Sequence, residues 1–172
     1  MSNRMNLVDL MRAQSVKRWT IVHTTKQQSL AEHTFNVTMI ARAICNKAGI
    51  PDHNVMKATM AHDLDEILTG DIPTPFKEEA RSQGIELNDI MKRVSHVTVS
   101  REEAAIAKAA DILEAEWFIN EFGQGSHADQ VKIYMGVQVE NYIEGLQVEG
   151  LEEELIYCIE SVRAELQRIP QL

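Results

Sequence analysis

Residues 61–77 read AHDLDEILTGDIPTPFK, and this stretch decides how the rest of the chain is interpreted. It begins within VMKATMAHDLDEIL, a segment whose single apolar face is typical of a packed helix. A proline-containing turn follows directly. Four titratable groups fall within five positions, and they are His62, Asp63, Asp65 and Glu66. A helix that packs on a core does not need so much polar chemistry at its end, so two explanations are open: solubility and metal binding.

The composition describes a globular protein. The 172 residues are 44% hydrophobic and 25% charged, which predicts one domain spanning residues 1–172. A net charge of −9 argues against a nucleic acid polymer as partner. No apolar run approaches the roughly 20 residues of a membrane span, and the first residues, MSNRMNLVDLMRAQ, lack the apolar stretch of a signal peptide. We therefore expect no membrane partner and a cytoplasmic protein, with Cys45 and Cys158 as buried thiols.

The apolar pattern has helical periodicity almost throughout, which predicts an all-α fold. Two capping boxes of the S-x-x-E kind, at residues 29–32 and 100–103, predict the starts of long helices that end near residues 48 and 122. The other predicted helices are 7–16, 54–68, 74–82, 88–97, 126–145 and 151–167.

Candidate metal ligands occur on several of these helices. Adjacent residues on a helix point about 100° apart, so His62 and Asp63 can share one ion only near a helix end such as the turn TGDIP. Glu66 lies on the same face one turn later. His33 sits one turn into the first capped helix, and Asp111 lies in AAIAKAADIL, where an unpaired carboxylate is costly. Two imidazoles and two carboxylates suit Mn, Fe, Co, Ni or Zn.

Each of these residues also has an ordinary structural interpretation. His33 could be a core histidine with satisfied hydrogen bonds, Asp111 could cap a neighbouring helix or pair with an arginine, and Glu66 could be a solvated carboxylate. The spacing alone does not show that the candidate ligands meet.

A resemblance to a known family adds to this reading. His33, His62-Asp63 and Asp111 in this order resemble the HD-domain metal-dependent phosphohydrolases. Together with Arg18-Trp19, Glu66, LTGDIPTPFK and Lys108-x-x-Asp111, they resemble the YfbR-like HD 5'-deoxyribonucleotidases over residues 18–111. The chain is short for that branch and is similar in length to the phage dATP triphosphohydrolases of the DatZ type. The resemblance implies a single HD-domain helical bundle with a metal site between helices, and a hydrolase acting on phosphoric ester bonds.

The resemblance also implies roles for individual residues. One divalent transition metal (Co, Mn, Zn, Fe or Ni), with further divalent ions on the phosphates, is the implied cofactor. Its implied ligands are His33, His62, Asp63 and Asp111. Glu66 matches the acid/base partner of the hydrolytic step, an assignment that its position on the ligand-bearing face also favours.

The implied substrate-binding residues fall into two groups. Arg18, Lys77 and Lys108 match the phosphate-binding set, and the three-residue spacing of Lys108 from Asp111 places both on one side of a helix. Taken singly, each cation is equally well a surface charge. The resemblance implies that Trp19 lies against the sugar and base and that Ile21 and Pro75 line the base side. Ordinary core packing is the alternative for Trp19.

These features favour a metal-dependent phosphohydrolase with a small deoxynucleotide as its substrate. The short chain, Ile21 and the three cations favour the conversion of dATP and water to deoxyadenosine and triphosphate. The first alternative is a 5'-nucleotidase acting on deoxynucleoside 5'-monophosphates. Two further alternatives are a non-catalytic helical binding module and a cyclic-nucleotide or guanosine-tetraphosphate hydrolase, which leaves Arg18-Trp19 and DIPTPFK without a purpose.

The sequence also carries expectations about assembly and location. The terminal segment LEEELIYCIESVRAEL has an apolar stripe that could pack within the domain or against a second copy. With the acidic surface, it predicts a homo-oligomer, either a dimer or a hexamer. If the protein is encoded by a phage, the expected location is the host cytoplasm.

Overall fold

The computed structural model describes residues 6–85 and 97–168, and these ranges consist mainly of helices, with an irregular segment over residues 16–29. The predicted all-α class is confirmed, because the described ranges contain no β-strand and only the isolated bridges Lys17–Ser29 and Thr24–Gly123. In chain order the elements are α1 (Leu7–Leu10), a 3-10 helix (Met11–Ser15), α2 (Leu30–Ala48), α3 (His53–Ala61), α4 (Glu66–Thr69), α5 (Thr74–Ser82), α6 (Arg101–Phe122), α7 (Ser126–Val148) and α8 (Glu153–Leu166). None of the described helices is both long enough and apolar enough to cross a membrane.

Both predicted capping boxes are confirmed, and they fix where the two central helices begin. The Ser29 hydroxyl accepts a hydrogen bond from the Glu32 amide at 3.2 Å, and the Glu32 carboxylate accepts one from the Ser29 amide at 2.9 Å. Ser100 and Glu103 make the same exchange at the start of α6. Satisfying these free amides stabilises each helix start by about 1 kcal/mol.

The core lies where α2 and α6 pack against each other, with α3, α7 and α8 around them. Alanines on α6 let α2 approach closely; among them Ala109 and Ala110 are fully buried. The apolar stripe of the terminal helix α8 packs into this core through Leu155, Ile159 and Val162, so it packs within the molecule. Both cysteines are free and buried, as predicted.

The prediction of one helix over residues 54–68 is wrong. Helix α3 ends at Ala61, and a tight turn over residues 62–65 leads into the short α4. In this turn the Glu66 amide donates to the Asp63 carbonyl at 2.9 Å and the Ile67 amide donates to the Leu64 carbonyl at 3.2 Å, which are contacts three residues apart. The backbone of His62 itself is still helical, with φ −61° and ψ −36°, so the tighter winding begins after it.

The other helix predictions differ less from the structure. The predicted helix 7–16 is wrong in its second half, because a 3-10 helix replaces the α-helix after Leu10. Helix α7 continues past Gly145 to Val148, since one glycine costs a long helix only about 1 kcal/mol. Helices α5 and α8 lie where predicted, to within two residues. The predicted helix 88–97 falls almost wholly outside the described residues.

Candidate metal centre

Three segments of the fold bring the four predicted metal ligands together. His33 comes from α2, His62 and Asp63 from the turn after α3, and Asp111 from the middle of α6. One ligand atom from each residue can be chosen so that all four lie within 4.8 Å of one another. The mutual packing of α2, α3 and α6 therefore creates a cluster of two imidazoles and two carboxylates.

The separations between these atoms fit a divalent cation. His33 Nε2 lies 3.2 Å from His62 Nε2, 3.5 Å from Asp63 Oδ2 and 3.4 Å from Asp111 Oδ1. His62 Nε2 lies 3.2 Å from the same Asp63 oxygen and 3.8 Å from the same Asp111 oxygen. Atoms bound at about 2.1 Å to one octahedral or tetrahedral ion are roughly 3.0–3.4 Å apart. The cluster could therefore hold one divalent metal, and its N/O donor set suits a first-row transition metal.

The same crowding perturbs the titration of all four groups. Burial alone would lower the pKa of His33, but hydrogen bonds to Asp111, Asp63 and Glu114 raise it to about 9. For His62, burial is likewise outweighed by Asp111 and Asp63, and its pKa rises to about 10. Burial would raise the pKa of both aspartates, yet the two histidines hold each pKa well below its usual range. The cluster thus favours positive charge at its centre.

Glu66 lies beside the cluster and is only 2% exposed, so its interpretation as a solvated carboxylate is wrong. Its Oε2 lies 3.4 Å from Arg18 NH1, and its Oε1 lies 3.4 Å from Lys77 Nζ. Burial, and then the negative charge of Asp63, raise the pKa of Glu66 to about 7 although Arg18 opposes the shift. A carboxyl group with this pKa can both take up and release a proton near neutral pH.

Each of the three predicted cations contacts a carboxylate of the site. Besides Glu66, Arg18 NH1 contacts Asp63 Oδ2 at 3.1 Å, and Lys108 Nζ contacts Asp111 Oδ2 at 2.7 Å. The Arg18 Nε is buried and has no hydrogen-bond partner among the described residues. The Lys108 side chain is about half-exposed. These positions suit an anion that approaches from solvent.

Trp19 lies next to this basic edge in a strained conformation. Its φ of 59° is in the left-handed region, which is unusual for a bulky residue and costs of order 1–3 kcal/mol. The indole stacks on Phe118 with centroids 5.9 Å apart, and its Nε1 donates to Gln28 Oε1 at 3.0 Å. Ile21 is 54% exposed, and Pro75 is exposed in the first turn of α5. The base-lining role of Ile21 and Pro75 stays a prediction.

Sequence reasoning missed a buried carboxylate behind the cluster. Glu114 is 0% exposed, and its Oε2 lies 2.6 Å from His33 Nδ1. Its Oε1 accepts hydrogen bonds from Gln28 Nε2 at 2.6 Å and from Asn36 Nδ2 at 3.0 Å. The signal was present in the spacing, because Glu114 follows Asp111 by three residues and therefore lies on the same face of α6.

Comparisons with known proteins agree with this geometry. The family model described as 5'-deoxynucleotidase YfbR-like matches residues 7–140. The dATP triphosphohydrolase of Cyanophage S-2L is 35% identical over 160 residues, covering 87% of this chain and 90% of the relative. The dATP triphosphohydrolase of Acinetobacter phage SH-Ab 15497 is 33% identical, covering 76% of this chain and 75% of the relative.

A comparison with a solved structure extends the similarity from the sequence to the fold. The Cyanophage S-2L HD phosphohydrolase (DatZ), bound to dA and one catalytic Zn²⁺ ion, superposes with a TM-score of 0.81 at 29% identity, covering 95% of this chain and 97% of that one. The helical HD-domain fold implied by the sequence motifs is confirmed. Since the family model covers more than half of the chain and a 35% identical relative is matched over most of its length, this chain belongs to the YfbR-like 5'-deoxynucleotidase family.

Proposed function

We propose that this protein is a divalent-metal-dependent phosphohydrolase that converts dATP and water to deoxyadenosine and triphosphate. One observation carries the reaction class: a cation-sized cluster of His33, His62, Asp63 and Asp111 lies beside a buried carboxyl group and three basic side chains. The choice of substrate is supported by the similarity to phage dATP triphosphohydrolases over most of the chain.

In the proposed reaction a water oxygen bonds to the α-phosphorus, the bond from that phosphorus to O5' breaks, and O5' leaves with a proton. A divalent cation held by the cluster would lower the pKa of a water molecule and polarise a phosphoryl oxygen. We assign the proton transfer to Glu66, which would take a proton from the water and deliver one to O5'. Arg18 and Lys77 hold the two Glu66 oxygens in place.

The basic side chains would bind the phosphate groups. Arg18, Lys77 and Lys108 approach the cluster from three elements, and a triphosphate offers them more negative charge than a monophosphate. The exposed part of the Trp19 indole, together with Ile21 and Pro75, would line the nucleoside side. In this proposal the phosphates would lie near the metal ligands and the sugar near Trp19.

A 5'-deoxynucleotidase is the second candidate, and the description of the matching family model favours it. Such an enzyme would release phosphate from deoxynucleoside 5'-monophosphates. Both reactions break the bond between phosphorus and O5', so the metal cluster, Glu66 and the three cations could catalyse either reaction. The two reactions differ in their products, which therefore distinguish the two candidates.

A product assay separates the candidates. Metal-loaded protein is incubated separately with dATP, dGTP, ATP and dAMP, the products are resolved by ion-exchange chromatography, and chelated protein is the control. Deoxyadenosine and intact triphosphate from dATP, with ATP untouched, are expected. Turnover of dAMP alone would transfer the proposal to the 5'-nucleotidases. If the metal-bound protein converts none of the four compounds, both candidates are contradicted and the non-catalytic helical binding module is favoured.

The proposal extends to assembly and location. Exposed apolar side chains lie on α1 and α7, among them Leu7, Val8, Ile133 and Val137, and they suit contacts between copies in a dimer or hexamer. Light scattering of the purified protein measures this directly, and a monomer at micromolar concentration would contradict it. Because free deoxynucleotides are its substrates, we propose that the protein acts in the cytoplasm.

A further inference from the structure

The buried carboxylate behind the metal ligands has an unusual set of neighbours. Three nitrogen atoms surround Glu114: His33 Nδ1 at 2.6 Å, Gln28 Nε2 at 2.6 Å and Asn36 Nδ2 at 3.0 Å. The Gln28 and Asn36 amide groups donate to Glu114, and an ionised carboxylate has acceptor capacity left for a proton on His33 Nδ1. When Glu114 accepts from His33 Nδ1, the ring proton sits on Nδ1, and the lone pair of Nε2 is left facing the other ligands.

Gln28 extends this contact to the wall of the substrate site. Its side chain is 1% exposed, it donates through Nε2 to Glu114, and it accepts through Oε1 from Trp19 Nε1 at 3.0 Å. The amide orientation is fixed, because each end has a partner of one kind only. On α6, Phe118 follows Glu114 by one turn and stacks under the Trp19 ring. One helix therefore supports both ends of the bridge.

We propose that Glu114 and Gln28 are positioning residues for the metal ligand His33, and that they connect its orientation to Trp19. The inference rests on the proposed function only in requiring that the cluster binds a divalent cation. Neither residue touches the cluster's ligand atoms directly; each acts through His33. Losing such an outer partner typically lowers metal affinity by about 10–100-fold.

Glu114→Gln is the decisive variant, because it keeps the size of the side chain and changes its charge and its hydrogen-bonding pattern. If the new amide turns its oxygen to His33, its NH₂ group meets the donors of Gln28 and Asn36. If it turns its NH₂ group to His33, it favours the ring form with the proton on Nε2, which cannot bind a metal. Both orientations weaken the site.

Glu116→Gln is the matched control. Glu116 lies two residues further along α6, is 5% exposed, and pairs with Arg163 rather than with a histidine. Titration calorimetry with Zn²⁺ and with Co²⁺, plus the visible absorption of bound Co²⁺, measures the site; the melting temperature of the metal-free protein measures the fold. We expect Glu114→Gln to lose roughly 10–100-fold in metal affinity with a changed Co²⁺ spectrum, and Glu116→Gln to lose melting temperature with unchanged affinity.

Unchanged Zn²⁺ and Co²⁺ affinity in Glu114→Gln, with a lower melting temperature, would overturn the proposal and leave a merely structural network.

If that variant does not fold, Gln28→Met decides the question through the indole NH signals in NMR. Metal addition should shift the Trp19 signal more than that of Trp117 in the wild type but not in Gln28→Met. An identical shift of the Trp19 signal in both would overturn the coupling. If Glu114→Gln loses metal affinity but the metal-loaded wild-type protein turns over none of the nucleotides, the proposed function alone is refuted.

Discussion

Glu114 and Glu116 are buried glutamates of the same helix, yet they belong to different regions of the molecule. Two residues of an α-helix turn through about 200°, so the side chains leave α6 on nearly opposite sides. Glu114 faces α2 and contacts a candidate metal ligand. Glu116 faces α7 and α8, where Arg163 Nε donates to its Oε2 at 2.9 Å and a second guanidinium nitrogen contacts its Oε1.

The difference lies in how each buried charge is compensated. Arg163 offers a fork of donors that matches a carboxylate, so it and Glu116 form a two-point ion pair between α6 and α8. On the other face, Lys108, Asp111 and Glu114 follow each other at intervals of three residues and point to the same side as the histidines. There the charges are shared among several partners. On α6, the buried carboxylate that faces an arginine joins two helices, and the one that faces a histidine contacts the candidate metal centre.

The strongest challenge to this comparison is Asp111→Asn. An amide is a poorer ligand than a carboxylate and removes the charge shared by His33, His62 and Lys108. If the cation contributes several kcal/mol to the reaction, its loss lowers kcat/KM by roughly 10³–10⁴-fold. Metal content by mass spectrometry and turnover of dATP check the outcome. Asp129→Asn, in the exposed Asp129–Lys132 pair of α7, is the control. Full metal occupancy in Asp111→Asn would remove Asp111 from the ligand set.

Glu66→Gln tests whether the metal face also contains the acid/base. The amide keeps the size of the side chain but cannot transfer the proton, so we expect turnover to fall roughly 10²–10³-fold. Metal affinity should be retained, which separates this variant from Asp111→Asn. Glu121→Gln, at an exposed position of α6, is the control for the same chemical change. Normal turnover by Glu66→Gln would mean that another group carries the proton.

Lys108→Ala has a smaller expected effect and distinguishes two roles of one ammonium group. If Lys108 binds phosphate, loss of one hydrogen bond to a charged group, about 1.5 kcal/mol, raises KM roughly tenfold and leaves metal affinity unchanged. If it serves only to hold Asp111, metal affinity falls instead. Steady-state kinetics with dATP and calorimetry with Co²⁺ separate the two. Lys132→Ala removes the corresponding lysine of the Asp129 pair and should change neither quantity.

The sequence predicted most of what depends on local rules. The capping boxes at Ser29 and Ser100 determine helix starts through contacts three residues apart, and both predictions were correct. The break after Ala61 was missed because the apolar pattern continues through residues 62–68, while His62 and Glu66 contact His33 and Arg18, which are distant in the sequence. Local periodicity does not contain those contacts.

The same limit explains which site residues were found. The candidate metal ligands have spacings that match a known motif, so the sequence alone predicts them. Glu114 was overlooked because its importance depends on His33, which lies 81 residues away in the sequence. Gln28 was overlooked for a similar reason, since a lone glutamine before a helix is ordinary until its two partners are known.

The smallest effect is expected on the far face of α6. Gly136 lies inside α7, where an added Cβ would stand 3.7 Å from Glu116 Oε1 and 4.0 Å from an Arg163 nitrogen, both ordinary contact distances. Gly136→Ala should therefore stabilise the helix by about 0.5–1 kcal/mol, raise the melting temperature by a few degrees, and leave turnover and metal affinity unchanged. Gly145→Ala, in the same helix with no atom within 4 Å of the added Cβ, gives the helix-propensity contribution alone. Calorimetric melting of both variants isolates the contact with the ion pair.

A lower melting temperature for Gly136→Ala than for the wild type, with a raised one for Gly145→Ala, would show that the added methyl group clashes with the Glu116–Arg163 pair. A change in metal affinity would show that the two faces of α6 are not independent.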